Sequence, residues 1–440
     1  MAMACCVNPP GSETAADVVD GFYPIRPECR DDVPTTGFKP KAGRTLSARR
    51  WHAAFSQDGV LEIAGVLHRI ERGGVHPSIK GVVWEFLLGC YEPKSTFNER
   101  SRLKQCRREQ YGLWKSECQE MESTVGSGRL ITTPIISEDG QPIEHPSKNS
   151  DISNGDQSVE SEEPIYKVPV DKKVIQWKLT LPQIGLDVVR TDRTLQYYDN
   201  QKNLARLWDI LAIYAWVDKE IGYCQGMSDL CSPMVIILED EADAFWCFER
   251  LMRRLRGNFK STRSSIGVQS QLSVLASIMK VVDPKLHQHL ENLDGGEYLF
   301  AFRMLMVLFR REFSFVDALY LWELMWAMEF NPNIFSLYES SEQNDKNPVV
   351  LKEDYKLLKQ YGKFERKVVK AGSKYQEGTL SIFLVASILE AKNKRLLKEA
   401  QGLDDVVKIL NGITGHLDAK KACKEALKLH RKYLKKMKKP

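Results

Sequence analysis

Two short runs place hydrogen-bonding and charged groups among residues that otherwise pack. The first is Ile184-Gly-Leu-Asp187-Val-Val-Arg190-Thr-Asp-Arg-Thr194, and the second is Gly222-Tyr223-Cys-Gln225-Gly226-Met227-Ser-Asp229. Arginine is always charged and presents several donors in one plane, so Arg190 can stabilise negative charge. The Gln225 amide can both donate and accept, which suits it to orienting a bound group. Gly226 permits a turn or the close approach of another backbone, and Pro233 restricts how the next helix begins. On the residues alone a plainer reading stays open. Asp187 and Arg190, at i and i+3, make an ordinary helix pair worth about 0.2–0.5 kcal/mol, and Gln225 is a polar turn residue. No phosphate-cradling loop, serine-nucleophile elbow, zinc-protease or dinucleotide-binding motif occurs in the chain. His287 and His289 point to different sides of a helix and read as solvated surface residues, not metal ligands. Asp151-x-Ser153-x-Gly155 is no calcium loop, because Asp156 stands where that loop requires Gly.

With Lys80-x-x-x-Trp84, these runs resemble the TBC-domain family of Rab GTPase-activating proteins, whose motifs are R-x-x-x-W, I-x-x-D-x-x-R and Y-x-Q-G-M. Ile184, Asp187 and Arg190 match the second motif in full, and Tyr223, Gln225, Gly226 and Met227 the third. The longer runs are similar to the Ypt/Rab activators that carry a long insertion ahead of the arginine. Phe302-Arg303, Arg311-Glu-Phe-Ser-Phe and Leu321-Trp322-Glu323 fit the later part of the domain, so the resemblance extends from about residue 62 to about residue 412. In the first motif Lys80 replaces the usual arginine, keeping the charge but losing the planar fork. Trp84 is expected in the core.

The resemblance implies an enzyme activator, not a GTPase. Arg190 would enter the active site of a GTP-bound Rab-family GTPase, and Gln225 would position the attacking water. Asp187 would brace Arg190, while Tyr223 and Gly226 would shape the Gln225 loop. GTP and Mg²⁺ belong to the partner, so the chain needs no cofactor and no metal of its own. The implied setting is vesicle trafficking. The alternative is a non-catalytic TBC scaffold that binds a Rab without accelerating hydrolysis; intact Arg190 and Gln225 favour the catalyst.

Helical periodicity dominates the chain and strand signals are scarce, so the expected class is all-α, a multi-helix TBC domain with a disordered acidic insertion. Residues 1–48, rich in Pro, Gly, Thr and Asp, read as a disordered leader. The first part of the domain is expected over 49–114 and the remainder over 166–412. Between them, residues 115–165 hold no Phe, Trp or Tyr and read as the insertion, either a regulatory or tethering loop with Ser137, Ser158 and Ser161 as candidate phosphorylation sites or a plain solvated spacer. Tyr298–Phe309, apolar nearly all round, suggests a central buried helix, and 338–374 a polar surface connection with one helix. Residues 413–440 form a basic amphipathic helix.

The chain has 440 residues, and its 63 basic and 58 acidic residues leave a formal charge of +5. That balance gives no argument for nucleic acid as a partner. The charge is uneven: 137–163 hold eight acidic residues and one Lys, whereas 421–440 hold nine basic residues and one Glu. The basic tail reads as a packed helix with a solvated face; peripheral contact with an anionic endomembrane is the second reading. Ten Cys without a C-x-x-C pair point to a reducing, cytoplasmic setting. No secretory signal or membrane span is visible.

Overall fold

Helix starts are marked in the sequence by residues whose side chains accept otherwise unpaired N–H groups. Thr96 and Glu99 form a reciprocal capping box. Asp171, Asn200, Asp240, Ser314 and Asp418 each accept a first-turn N–H of the helix that follows. In this computed structural model the described residues are 21–130, 171–262, 265–339, 355–371 and 378–438. Their first helices are α1 (Ala48–His52), α2 (Ile63–Gly73), α3 (Lys80–Leu87), α4 (Phe97–Met121), α5 (Lys172–Arg190) and α6 (Gln201–Val217). Next come α7 (Met227–Ile237), α8 (Glu241–Phe259), α9 (Val268–Val282), α10 (Pro284–Asn292), α11 (Phe302–Met306) and α12 (Phe315–Met328). The last are α13 (Ile334–Glu339), α14 (Tyr355–Leu358), α15 (Glu365–Ala371), α16 (Leu380–Glu399), α17 (Leu403–Asn411) and α18 (Ala419–Met437). The only strands among the described residues are a two-residue antiparallel ribbon, Ser261–Thr262 with Ser265–Ile266. The all-α class holds.

The core is built around helices that are apolar on almost every side. Every residue of α12 is buried, as are Leu207–Trp216 of α6, Met227–Val235 of α7 and Leu380–Leu389 of α16. α5 packs on α6, α6 on α7, and α7 on α8. α18 lies against α16, α12 and α9. Its buried Ala419, Cys423, Ala426, Leu427, His430 and Tyr433 recur at three- and four-residue intervals, leaving the lysines outside.

Five expectations need correction. The leader is not disordered in its described half: Tyr23, Phe38 and Leu46 are buried, and the Phe38 ring lies 4.5 Å from that of Tyr320. Isolated apolar residues in a turn-rich segment each fill a slot on the helices without generating a periodic pattern. Residues 1–20 lie outside the described residues. The insertion does not begin at 115, because α4 runs on to Met121 with Cys118 buried, and Val125 is buried beyond it. Lys115 (2.9 Å) and the Gly126 N–H (3.0 Å) both reach Asp209 of α6, tying this stretch down. The rest of the insertion, 131–170 with its three serines, lies outside the described residues.

Tyr298–Phe309 is not one helix. Tyr298, Leu308 and Phe309 have positive φ, which ends helical runs, and Leu299 and Phe302 are exposed. In the expected surface connection at 338–374, Tyr361 and Phe364 are buried and short helices α14 and α15 occur; residues 340–354 and 372–377 lie outside the described residues. His287 is also buried, and His289 is half-buried. His287 Nδ1 lies 3.0 Å from the Tyr298 hydroxyl, and His289 Nε2 donates to the Leu396 carbonyl at 3.1 Å. Among the described residues no group of His, Cys, Asp or Glu could hold a metal ion, and no helix is long and apolar enough to cross a membrane.

Candidate functional site

α5 delivers Arg190 to the surface. Trp177, Leu181, Ile184 and Val188 form its buried stripe, each side chain contributing roughly 1.5–3 kcal/mol by leaving water. Trp177 Nε1 also donates to the Ala212 carbonyl of α6 at 2.9 Å. The opposite face exposes Leu186, Val189 and Arg190. The helix stops at Thr191, whose hydroxyl lies 2.7 Å from the Asp187 carbonyl and 2.9 Å from the Ser228 hydroxyl. Asp192 then turns the chain at φ 47°. Arg190 therefore stands on a final helical turn closed from both sides.

Asp187 is the junction of the site. Its carboxylate is only 1% exposed. Oδ1 pairs with the Arg190 guanidinium and accepts from Gln183 Nε2 at 3.1 Å. Oδ2 accepts from the Tyr223 hydroxyl at 2.6 Å. One buried carboxylate thus ties the end of α5 to the loop carrying Gln225. Burial first, then the hydrogen bond to Asp187 and its charge, holds the Tyr223 phenol well above the ordinary tyrosine range. Tyr223 is therefore a fixed donor at any physiological pH.

The Gln225 loop is shaped by its neighbours. Gly226 has φ 99°, and a Cβ there would sit 2.9 Å from Val307 Cγ1, so both backbone conformation and space call for glycine. Met227 is fully buried, with its sulfur 3.4 Å from the Cys224 N–H. Gln225 is the exposed member of this run. The first turn of α7 gathers the surrounding segments: Gly226 meets Val307, Ser228 meets Thr191, and Asp229 accepts from Arg311 at 2.9 Å.

The structure thus brings Ile184, Asp187, Arg190, Tyr223, Gln225, Gly226 and Met227 into one region. Lys80 and Trp84 are elsewhere, buried between α3 and α12. Lys80 Nζ pairs with Glu323, Trp84 Nε1 donates to the same Oε1 at 3.2 Å, and the Val75 N–H takes the other oxygen at 2.9 Å. Burial pushes the Lys80 ammonium below the ordinary lysine value against the pull of Glu323.

Motif reading assigned no part to Asp192, Arg310 or Ser232. Asp192 pairs with Arg310 and accepts from the Ser232 hydroxyl at 2.6 Å, while the Tyr198 hydroxyl donates to Ser232 at 2.8 Å. This network fixes the chain as it leaves Arg190. Asp192 lies inside the first run, but its positive φ leaves no mark in residue type. The leader was missed too. Pro24–Arg26 pairs antiparallel with Thr194–Gln196, through Arg26 N to Thr194 O at 2.8 Å and Gln196 N to Pro24 O at 2.9 Å.

The fold is helical, and within it a buried aspartate bonds an exposed arginine and the tyrosine two residues before an exposed glutamine. The model of the Rab-GTPase-TBC domain family matches residues 77–339, and the chain belongs to this family. It is 30% identical over 372 residues to Rab GTPase-activating protein 22 of Arabidopsis thaliana, an alignment covering 64% of this chain and 66% of that protein. It is 29% identical over 326 residues to human TBC1 domain family member 17, covering 70% and 42%. With GTPase-activating protein GYP7 of Yarrowia lipolytica the identity is 30% over 335 residues, covering 68% and 39%. The matched region therefore spans less than two-thirds of each relative's length. The crystal structure of the Ypt/Rab-GAP domain of Gyp1p shares the fold, with a TM-score of 0.54 at 17% identity, covering 86% of this chain and 96% of that one.

Proposed function

We propose that this chain accelerates GTP hydrolysis by a Rab-family small GTPase in its GTP-bound state, acting in vesicle trafficking. The observation that carries the reading is the Asp187 junction, which holds Arg190 and the Gln225 loop together while leaving both Arg190 and Gln225 exposed. Arg190 would leave Asp187 and neutralise charge developing on the partner's phosphates. An arginine supplied in trans is worth about 10³–10⁵ in rate, and the upper figure corresponds to about 7 kcal/mol of barrier. Gln225 would orient the attacking water through its amide. Asp187, Tyr223 and Gly226 position these two groups and touch no substrate. GTP and Mg²⁺ would arrive with the partner, and the chain would add no cofactor. In this reading the chain is a cytoplasmic protein that meets endomembranes peripherally, where its Rab-family partner would be carried.

The test is single-turnover GTP hydrolysis by a panel of purified Rab proteins, with the native chain and with Arg190→Ala and Gln225→Ala. Acceleration of one or a few Rabs by the native chain, lost by on the order of 10³ or more in Arg190→Ala, supports the reading. GTP-dependent binding without acceleration of any Rab overturns it in favour of a non-catalytic scaffold.

A further inference from the structure

A second charged feature lies away from the Arg190 site. The turn Lys41–Thr45 is closed by Lys41 N to Thr45 Oγ1 at 2.9 Å and by Arg44 and Thr45 N–H groups to the Lys41 carbonyl at 3.1 and 3.0 Å. It is pressed against the C-terminal end of α2. A Cβ at Gly73 would lie 2.7 Å from the Arg44 carbonyl carbon, so only glycine admits this approach. Arg44 and Arg72 are thereby held beside each other. The first turn of α18 completes the cleft, with Lys420 Nζ donating to the Arg72 carbonyl. This open cleft has a volume of about 340 Å³, and Lys39, Lys41, Arg44, Arg72 and Lys420 all line it.

The cations in this cleft are not balanced. The carboxylates on its wall are Asp317 and Asp418. Asp317 is taken up by the Gly37 and Phe38 N–H groups at 2.7 Å each and by the Ser314 hydroxyl at 2.9 Å. Asp418 caps α18 through the Lys421 N–H at 2.7 Å. Lys41, Arg44 and Arg72 have no ion pair among the described residues. Burial, and then Arg44 with Lys41 and Arg72, push the Lys420 ammonium below its ordinary value despite Asp418. The lysine-rich face of α18 differs. There Lys428 pairs with Glu425 at 2.7 Å, Lys432 with Glu390 at 2.6 Å, and Lys436 reaches the Val281 carbonyl at 2.8 Å.

We infer that the cleft between the Lys41–Thr45 turn, the end of α2 and the start of α18 is a binding site for a multiply phosphorylated anion, with Lys41, Arg44, Arg72 and Lys420 as its cationic groups. Two guanidiniums match phosphate oxygens in a fork that a lone ammonium cannot offer. The cavity volume suits a small polyphosphate, being at the lower end for ligand sites. Such an anion relieves the mutual repulsion of the four groups. The site is independent of GTPase activation: none of these residues touches Asp187, Arg190 or the Gln225 loop.

The ligand could be free or carried on a lipid, so two probes are used with the full chain: soluble inositol trisphosphate in calorimetric titration, and flotation with phosphatidylcholine vesicles containing phosphatidylinositol bisphosphate. Arg44→Gln/Arg72→Gln/Lys420→Gln tests the cleft, and Lys428→Gln/Lys432→Gln/Lys435→Gln is the matched change on the outer face of α18. Each Lys or Arg near an anionic surface is worth roughly a factor of five, so the cleft triple is expected to weaken inositol trisphosphate binding about tenfold or more, and the α18 triple about twofold at most. Flotation lost with the cleft triple assigns the ligand to a lipid headgroup; soluble binding without flotation assigns it to a free phosphate compound. Equal weakening by both triples, no binding of inositol trisphosphate, or equal flotation with charge-matched phosphatidylserine vesicles would overturn the proposal.

Discussion

Asp187 bonds Arg190 and Tyr223 through different oxygens, so the two halves of the site separate cleanly. A guanidinium leaving Oδ1 still leaves Gln183 on that oxygen and Tyr223 on the other. In the proposed mechanism Arg190 is the moving half and the Gln225 loop the fixed half. Tyr223→Phe removes the fixed half's anchor and leaves a buried carboxylate oxygen short of a donor. It is expected to cost about 1–3 kcal/mol of stability and to lower hydrolysis rate through kcat more than through the concentration of Rab needed. Urea unfolding and a Rab titration check this together. Lys80 gives a contrasting case. Lys80→Met strands Glu323 in the core and should cost about 3–5 kcal/mol, while the folded fraction still accelerates hydrolysis at the native rate. A Lys80→Met protein that is fully stable but inactive would instead place Lys80 in the mechanism. These residues were legible because type and spacing alone carry the motif. Asp192 and Arg310 were not, since their pairing joins positions 118 residues apart.

At the scale of elements, sequence pattern served best where one face is apolar and the other polar, as in α5 and α18. It failed on Tyr298–Phe309, where an almost wholly apolar run offers no face to read and left-handed residues at its two ends confine helix to its middle. It failed on the end of α4, where the lack of aromatics looked like disorder, although the buried Cys118 and the pairing of Lys115 with Asp209 suffice to hold a polar helix. The leader is the consequential miss. Its Pro24–Arg26 segment pairs with Thr194–Gln196, Arg26 reaches Asp199 at 2.6 Å, and Tyr23 lies 5.4 Å from the Phe315 ring. Tyr23→Ala should therefore destabilise by about 3 kcal/mol and slow GTP hydrolysis even at temperatures where the protein stays folded. Unchanged activity in the folded variant would show that the leader braces the fold but not the arginine.

Across the whole molecule, the packed core extends well beyond the matched 77–339, taking in the leader and α16 to α18. His430 of α18 sits 4.5 Å from the Phe364 ring and 4.7 Å from Phe383, and neither of its nitrogens has a hydrogen-bond partner among the described residues. Burial, aided by Lys367, pushes it from 6.5 down to about 4. The unfolded chain therefore takes up this proton at a higher pH than the folded one. The stability present at neutral pH is lost as pH falls from 6.5 towards 4, by on the order of 3 kcal/mol. His430→Phe removes that dependence, so its urea midpoint should change less between pH 7 and pH 4.5 than that of the native chain. The leader's partners lie far along the chain: Gly37 N–H bonds one oxygen of Asp317 across 280 positions, and Phe38 N–H bonds the other across 279. During synthesis on a ribosome, the leader is thus made long before its partners on α12. Until α12 emerges, the slots for Tyr23 and Phe38 are only partly built. Until then the nascent chain must carry these aromatic side chains in water, or under a chaperone.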